Sequence, residues 1–476
     1  MPSGQDQIGH PVAIIGGGPV GLAAAANLIA RRIPVKLYEA GDTVAAHVRD
    51  WGHVRLFSPW RFNIEEMAKS ILFDHGWREP AGDVLPTGRE LYEGYLKPLA
   101  ETPEIAAITE TGARVESISR QGIDKVVSRD RAKHPFTLTV TTAAGPRIDL
   151  ARAVIDASGT GRNPSPLGAS GLRVPGENEL DGAIRYGVPD VLRADQAEYA
   201  GRRILVIGGG HSAANVVLDL AQLAVQEATT RIIWAVRSQS LARIFGGGDA
   251  DKLPARGKLG SDLKSLVEAG GLSIVTGFSA EHIERTVEGI VVTGRMQAGL
   301  RPLHAVDRVI ASTGQRPNLE MTRELRLDLD PWLESPRLLA PMIDPNVHSC
   351  GTVPPHGYRE LSHAEPDFFT IGIKSYGRAP TFLMATGYEQ ARSVTAYLAG
   401  DQAAADDVRL VLPETGVCSA NLLPEDIDAG CCGGPAPEEA DACCLADAEA
   451  KAEAKSGCGC ATAPPSRAVA TATASG

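Results

Sequence analysis

The stretch Val12-Ala13-Ile14-Ile15-Gly16-Gly17-Gly18-Pro19-Val20-Gly21-Leu22-Ala23-Ala24-Ala25-Ala26 decides the fold of this chain. Its first four apolar residues read as a buried strand, and residues 20–31 read as a helix. The glycines between them have separate tasks. Gly16 permits a tight turn, Gly18 lets the backbone approach a pyrophosphate, and Gly21 lets the helix pack close to the strand. A helix that starts near Pro19 aims free N–H groups and its positive dipole end at the phosphates. A second strand is expected over 34–39. It ends at Glu39, the place for an acid that binds both ribose hydroxyls. The bland alternative is a strand-to-helix turn with incidental glycines, but loop, helix, strand and acid all agree.

The plan repeats. An apolar run at 204–207 leads into Gly208-Gly209-Gly210-His211-Ser212-Ala213 and a helix-like stretch over 213–228. Ala213 stands for the third glycine, an accepted variant. The next strand, 231–236, is followed by Arg237-Ser238, with no acid. A carboxylate there would repel a 2′-phosphate, whereas Arg237 pairs with one, which favours NADPH over NADH. A solvated surface arginine is the competing explanation. Two such loops suggest two dinucleotides face to face, the layout for passing electrons from a nicotinamide to a flavin. Residues 154–161 and 309–314 also match each other: each is an apolar strand ending in small residues. Ala157, Gly159 and Gly314 there let the backbone pass close to a cofactor.

At 476 residues, two or three domains are expected. A net charge of -11 gives no reason to propose nucleic-acid or anionic-membrane binding. No cleavable signal or spanning segment is read, so a cytoplasmic protein is expected. Residues 1–349 contain no cysteine; Cys350 stands alone, and seven more lie between 418 and 460. A secreted disulfide scaffold would spread its cysteines through the fold. The pattern is instead that of a catalytic body with a thiol tail.

Coarse periodicity alternates β and α. Helices are expected over 64–74 and 88–102, the latter kinked at Pro98. Strands over 113–118 and 137–142 form a small antiparallel meander, followed by a strand at 153–156 and a crossing linker at 159–176. Strands at 272–275 and 306–311 continue the second unit. A strand at 368–373 and a helix at 385–398 close the first. The expected class is α/β with two Rossmann-like dinucleotide-binding domains. The FAD domain is discontinuous, at 1–165 and 318–410. The NAD(P)H domain, 166–317, is inserted, and 411–476 is a flexible Cys-rich tail.

On these residues the chain resembles the two-dinucleotide-binding-domain flavoproteins, and among them the flavin-containing monooxygenases, over about residues 10–400. The carriers are Gly16–Gly21, Glu39, Pro175-Gly176-Glu177, Gly208–Ala213, and Ala311-Ser312-Thr313-Gly314 with Arg316-Pro317. The resemblance implies FAD on the first loop, at Gly16, Gly18, Pro19, Gly21 and Glu39, with Gly372 and Gly387 of the closing segment near the flavin. It implies NADPH on the second, at Gly208, Gly210, His211, Ser212 and Ala213. Two departures stand out. The monooxygenase fingerprint of Phe-x-Gly, three residues, then His reads here Leu180-Asp181-Gly182-Ala183-Ile184-Arg185-Tyr186, with Tyr186 in the histidine's place. The Cys-x-x-Cys of related disulfide reductases is missing, which excludes an internal dithiol relay of that kind.

In the family, residues after Glu39 run beneath the isoalloxazine. Here residues 49–63 are rich in Trp, Arg and His. Trp51 and Trp60 are candidates to exclude water, and Arg55, Arg61 and Asn63 to orient substrate or nicotinamide. A structural loop with aromatic anchors is the equal alternative. In the tail, Cys431, Cys432, Cys443, Cys444, Cys458 and Cys460 suit a thiophilic metal or metalloid such as trivalent arsenic. Their spacing is not that of a zinc finger. Such paired-Cys tails resemble those of bacterial arsenic resistance operon proteins. The expected function is an FAD- and NADPH-dependent, monooxygenase-like oxidoreductase tied to arsenic or metalloid detoxification. A reductase of tail thiols or of a tail-bound ion competes with it, as does a metalloid-binding protein with a vestigial flavin fold. The expected partner is a small-molecule or metalloid substrate, and a homodimer is compatible with the reading.

Overall fold

A computed structural model describes residues 9–246, 253–348, 353–410 and 412. The chain opens with β1 (Val12–Ile15), α1 (Pro19–Ala30) and β2 (Val35–Tyr38), then α2 (Glu66–Asp74) and the short β3 (Thr109–Glu110). Three strands follow as a meander: β4 (Arg114–Arg120), β5 (Phe136–Thr142) and β6 (Gly145–Ala151), before β7 (Ala153–Asp156). The second lobe contributes β8 (Ile184–Tyr186), β9 (Arg203–Ile207), α3 (His211–Gln226), β10 (Arg231–Ala235), α4 (Pro254–Glu268) and β11 (Ser273–Val275). It goes on through β12 (Ser279–Thr286), β13 (Gly289–Met296), β14 (Gly299–Pro302) and β15 (Arg308–Ala311). The chain then returns to the first lobe with β16 (Phe368–Thr370) and α5 (Met384–Leu398).

The first sheet runs β16-β7-β1-β2-β3 and the second β11-β10-β9-β15-β8, with every pairing parallel. In each, the connection through a helix leaves the glycine-loop strand on one side, to β2 or β10, while β7 or β15 lies on the other. Strand order therefore reverses beside β1 and beside β9. Those are the crevices in which open α/β sheets bind ligands.

Burial explains the composition. α1 is covered almost all round, with Val20 through Leu28 buried, because it packs on the sheet and against α2 and α5. Alanine suits such a helix, since larger side chains would push it from both neighbours. The helix expected over 88–102 is observed in three parts: α over Gly88–Leu91, a π-turn over Tyr92–Leu96, and α over Lys97–Ala100. The widened turn lies just ahead of Pro98, whose missing N–H interrupts the regular α-helical ladder. The meander has a third strand, β6, and the second lobe has an antiparallel sheet, β12-β13-β14, that sequence periodicity did not resolve.

Charge is also buried. Glu365 sits between Arg120 and Arg131 at 2.8 Å from each, with the Glu365 and Arg120 side chains fully buried. The cluster ties the meander to the segment leading into β16. His363, two residues away, accepts the Asp328 N–H at Nδ1, and burial holds its pKa down at about 4. The unfolded chain binds a proton near pH 6.5 that the folded chain refuses, so His363 contributes stability that is lost as pH falls from 6.5 toward 4. The full effect is about 3 kcal/mol. Unfolding midpoints at pH 7 and 4.5 should diverge more in the native protein than in His363→Gln.

Candidate functional site

The first glycine loop is built as its spacing requires. Gly16 has φ +101°, and a Cβ there would lie 2.6 Å from the Ala157 carbonyl oxygen. A Cβ on Gly21 would lie 1.9 Å from the Gly16 carbonyl oxygen, so only glycine lets α1 approach. A Cβ on Gly18 would meet nothing within 4 Å. This open side is where a pyrophosphate can reach the start of α1, with Pro19 as its first residue. Glu39 is half-buried and braced: the Gly17 and Gly41 N–H groups donate to its two oxygens at 2.8 and 2.6 Å. Each oxygen keeps a lone pair for a ribose hydroxyl.

Across the crevice, Ala157 continues from β7 and donates its N–H to Ile15. Gly159 has φ +70° and lies near Ile373. Gly372 and Gly387 both pack on Val20 in the first turn of α1, where Cβ atoms would come within 3.4 and 2.6 Å of it. These two glycines thus bring the closing segment onto the loop. Beneath them lies a pair that sequence reasoning missed. Lys374 and Asp156, both buried, are 2.7 Å apart, and Ser158 Oγ bonds to both. Nothing in local periodicity links the end of β7 to the 3-10 turn Gly372–Tyr376 that carries Lys374.

The second loop has the same construction. Gly208 has φ +143°, and its Cβ would lie 2.3 Å from the Ser312 carbonyl oxygen. The Gly210 Cβ direction is open, Ala213 is buried, Ser212 is exposed, and His211 begins α3. Trp234 Nε1–H donates to the Gly208 carbonyl and braces the loop. Arg237 is exposed, its guanidinium 3.4 Å from the Ala169 carbonyl oxygen. Gly314 has φ +91°, and its carbonyl accepts the Ser165 N–H, tying the two crossing strands together.

Residues 51–63 lie against residues 81–94. Trp51 packs on Gly88, and buried Trp60 packs near Gly94. Arg55 donates to the Leu85 carbonyl at 2.5 Å, and Arg61 pairs with Asp83. Asn63 is fully buried; its amide donates to the Ser58 and Pro59 carbonyls, and its side-chain oxygen accepts the Ser58 hydroxyl. Asn63 thus holds the segment's own turn, and Arg55 and Arg61 fasten it to residues 83–85. Other members of the segment, and His47 just before it, reach the nucleotide elements: His47 abuts Gly161, His53 lies beside Pro189 and Asp190, and Phe57 meets His211.

Tyr186 donates its hydroxyl to buried Glu177 at 2.6 Å, and Glu177 also accepts the Leu167 and Val174 N–H groups. Gly176, at φ +86°, passes so close to β12 that a Cβ would lie 1.7 Å from the Ile283 carbonyl oxygen. The Pro175-Gly176-Glu177 motif therefore anchors the entry to the second lobe. Among the described residues there is no cysteine and no group of three or more metal-ligating side chains. Cys350 and the seven tail cysteines lie outside the described residues.

Two parallel sheets, each with a glycine loop at its switch point and one of them completed by the returning chain, define a two-dinucleotide oxidoreductase. The chain belongs to the pyridine nucleotide-disulphide oxidoreductase family, which matches residues 10–351. It is an FAD/NAD(P)H-dependent oxidoreductase, and the first loop, Glu39 and the closing segment fit FAD. It is 26% identical to the ferredoxin–NADP reductase of Albidiferax ferrireducens over 336 residues, 69% of this chain and 77% of that one. It is 32% identical to that of Thermus thermophilus over 138 residues, 29% of this chain and only 33% of the relative. Similar solved structures include the bacillithiol disulfide reductase of Bacillus cereus, with TM-score 0.60 and 18% identity over 82% of this chain and 99% of that one. The ornithine N-hydroxylase of Kutzneria has TM-score 0.55 and 16% identity over 83% and 99%. At these identities the structures share the fold alone.

Proposed function

We propose that this chain is an FAD-dependent, NADPH-using enzyme of the flavin monooxygenase type that acts on arsenic or another soft metalloid. The observation that carries the reading is a flavin crevice without cysteine between two intact nucleotide loops. With no dithiol in residues 1–349, electrons have no thiol relay within the body. A flavin held at the first loop and Glu39 would supply hydride acceptance from the nicotinamide and electron transfer to oxygen. The chain's own contribution is positional. The first turns of α1 and α3 receive the two pyrophosphates, Glu39 receives a ribose, and the Val20–Gly372–Gly387 packing holds the closing segment in place. The tail thiols would raise the local metalloid concentration, an effect of tethering.

Oxygen and NADPH consumption by the purified enzyme should rise on adding arsenite or an organoarsenical. Unchanged uptake across a panel of both would sink the reading. A second reading, a reductase of tail thiols or of a tail-bound ion, is favoured by the thiol-rich tail and by the reductases among the relatives. It predicts that NADPH generates new titratable thiols without oxygen, and that truncation after Leu412 removes them. Arg237 supports NADPH over NADH. Arg237→Ala should weaken NADPH binding by about 10- to 100-fold, the loss of one charge-assisted contact, and leave NADH binding unchanged. Equal loss for both nucleotides would reduce Arg237 to a surface cation.

A further inference from the structure

Leu56 and Phe57 are neighbours in sequence but belong to different cores. Leu56 packs with the first lobe, and its N–H donates to the Pro86 carbonyl. Phe57 packs with the second lobe, its ring edge-on to His211 at 5.3 Å between centroids and 72° between planes. His211 is the first residue of α3, directly after Gly210. The start of a helix after a glycine loop is where a dinucleotide pyrophosphate docks, on unsatisfied N–H groups. An apolar ring lying there cannot serve a phosphate. The same segment touches the second lobe again at His53, beside the Pro189 carbonyl, Asp190 and Asp195. It touches the first crevice at His47, whose ring leaves no room for a Cβ on Gly161.

We propose that Phe57 is a positioning residue of the second nucleotide site: its ring packs on the His211 side chain beside the start of α3 and must turn aside when the dinucleotide binds. Because His47, ten residues before Phe57, abuts Gly161 after β7, that movement carries the occupancy of the second site to the crevice of the first. The proposal rests on the reading that the second loop takes the nicotinamide nucleotide. It needs no change of covalent structure, only exchange of a ring contact for phosphate contacts.

The test is NADPH titration of the full-length, FAD-loaded protein by fluorescence quenching, in the native form, Phe57→Ala and Phe57→Leu. Thermal unfolding and FAD affinity are measured in parallel. An aromatic contact of this kind corresponds to about 2- to 10-fold in an equilibrium constant. Both variants should bind NADPH tighter by that factor and show a lower KM for it, while FAD affinity holds. Phe57→Leu, which keeps most of the apolar area, serves if the alanine variant fails to fold. Unchanged or weaker NADPH binding in the variants would overturn the gate. Failure of the native protein to bind either NADPH or NADH would instead overturn the nucleotide reading beneath it.

Discussion

Gly21→Ala will yield a destabilised protein that purifies without flavin, whereas Gly18→Ala will yield an equally colourless protein of native stability. The difference follows from where the two Cβ atoms point. At Gly21 the added carbon lies 1.9 Å from the Gly16 carbonyl oxygen, which is backbone and cannot turn away. α1 must shift by more than an ångström. Because Val20 through Leu28 are buried on several sides, that shift disturbs its packing against α2 and α5. Overpacking of this kind costs about 1–3 kcal/mol or more. At Gly18 the new carbon meets nothing, and the backbone, at φ -76° and ψ -178°, accepts alanine without strain. It occupies only the space open to a pyrophosphate. Flavin-to-protein absorbance ratios and thermal midpoints of the two variants decide the matter. A Gly18→Ala protein that retains native FAD affinity would show that the phosphates do not pass there.

Glu365→Ala will cost about 3–5 kcal/mol, the loss expected on removing one partner from a buried ion cluster. The carboxylate separates two guanidiniums in a fully buried setting, and Arg326 also donates its backbone N–H to it. Its removal leaves Arg120 and Arg131 facing each other without a counter-charge. Arg120 retains the His134 and Pro366 carbonyls and the face of the Phe136 ring, none of which carries a counter-charge. Glu365→Gln keeps an acceptor and should lose less, so the difference between the two variants isolates the charge. Unfolding in urea, followed by intrinsic fluorescence, measures both. Glu365 lies three residues before β16, at whose end Gly372 meets α1, so flavin affinity should fall in the same order.

Legibility in the sequence followed the range of the interactions. The two glycine loops, their helices and the strands beside them could be read because turn geometry, strand burial and helix capping are local. Glu39 could be read because its position is fixed by the strand it ends. The antiparallel sheet β12-β13-β14 could not, because its pattern is set by packing on a lobe the sequence does not display. Residues 51–63 were rich in chemically suggestive side chains, but composition carries no direction. Arg61 faces Asp83 and Asn63 clamps its own turn, while His47 and Phe57, which carried no signal, reach the nucleotide elements. Asp156 ends β7 and Lys374 lies in the 3-10 turn Gly372–Tyr376 after β16, so the two meet only because β16 and β7 pair.

By itself, the sequence determined that two dinucleotide loops exist, which one carries an acid and which an arginine, and that residues 1–349 hold no cysteine to relay electrons. Each is a property of residue type at short spacing, where steric and electrostatic requirements act along the chain. Tertiary structure decided what lies across from those loops: the Val20–Gly372–Gly387 contact, the buried Lys374–Asp156 pair, the Tyr186–Glu177 anchor and the ring of Phe57 on His211. Apart from the Tyr186–Glu177 anchor, whose partners are nine residues apart, these arise where segments distant in the chain compete for the same few ångströms, and only packing in three dimensions settles which side chain takes the space.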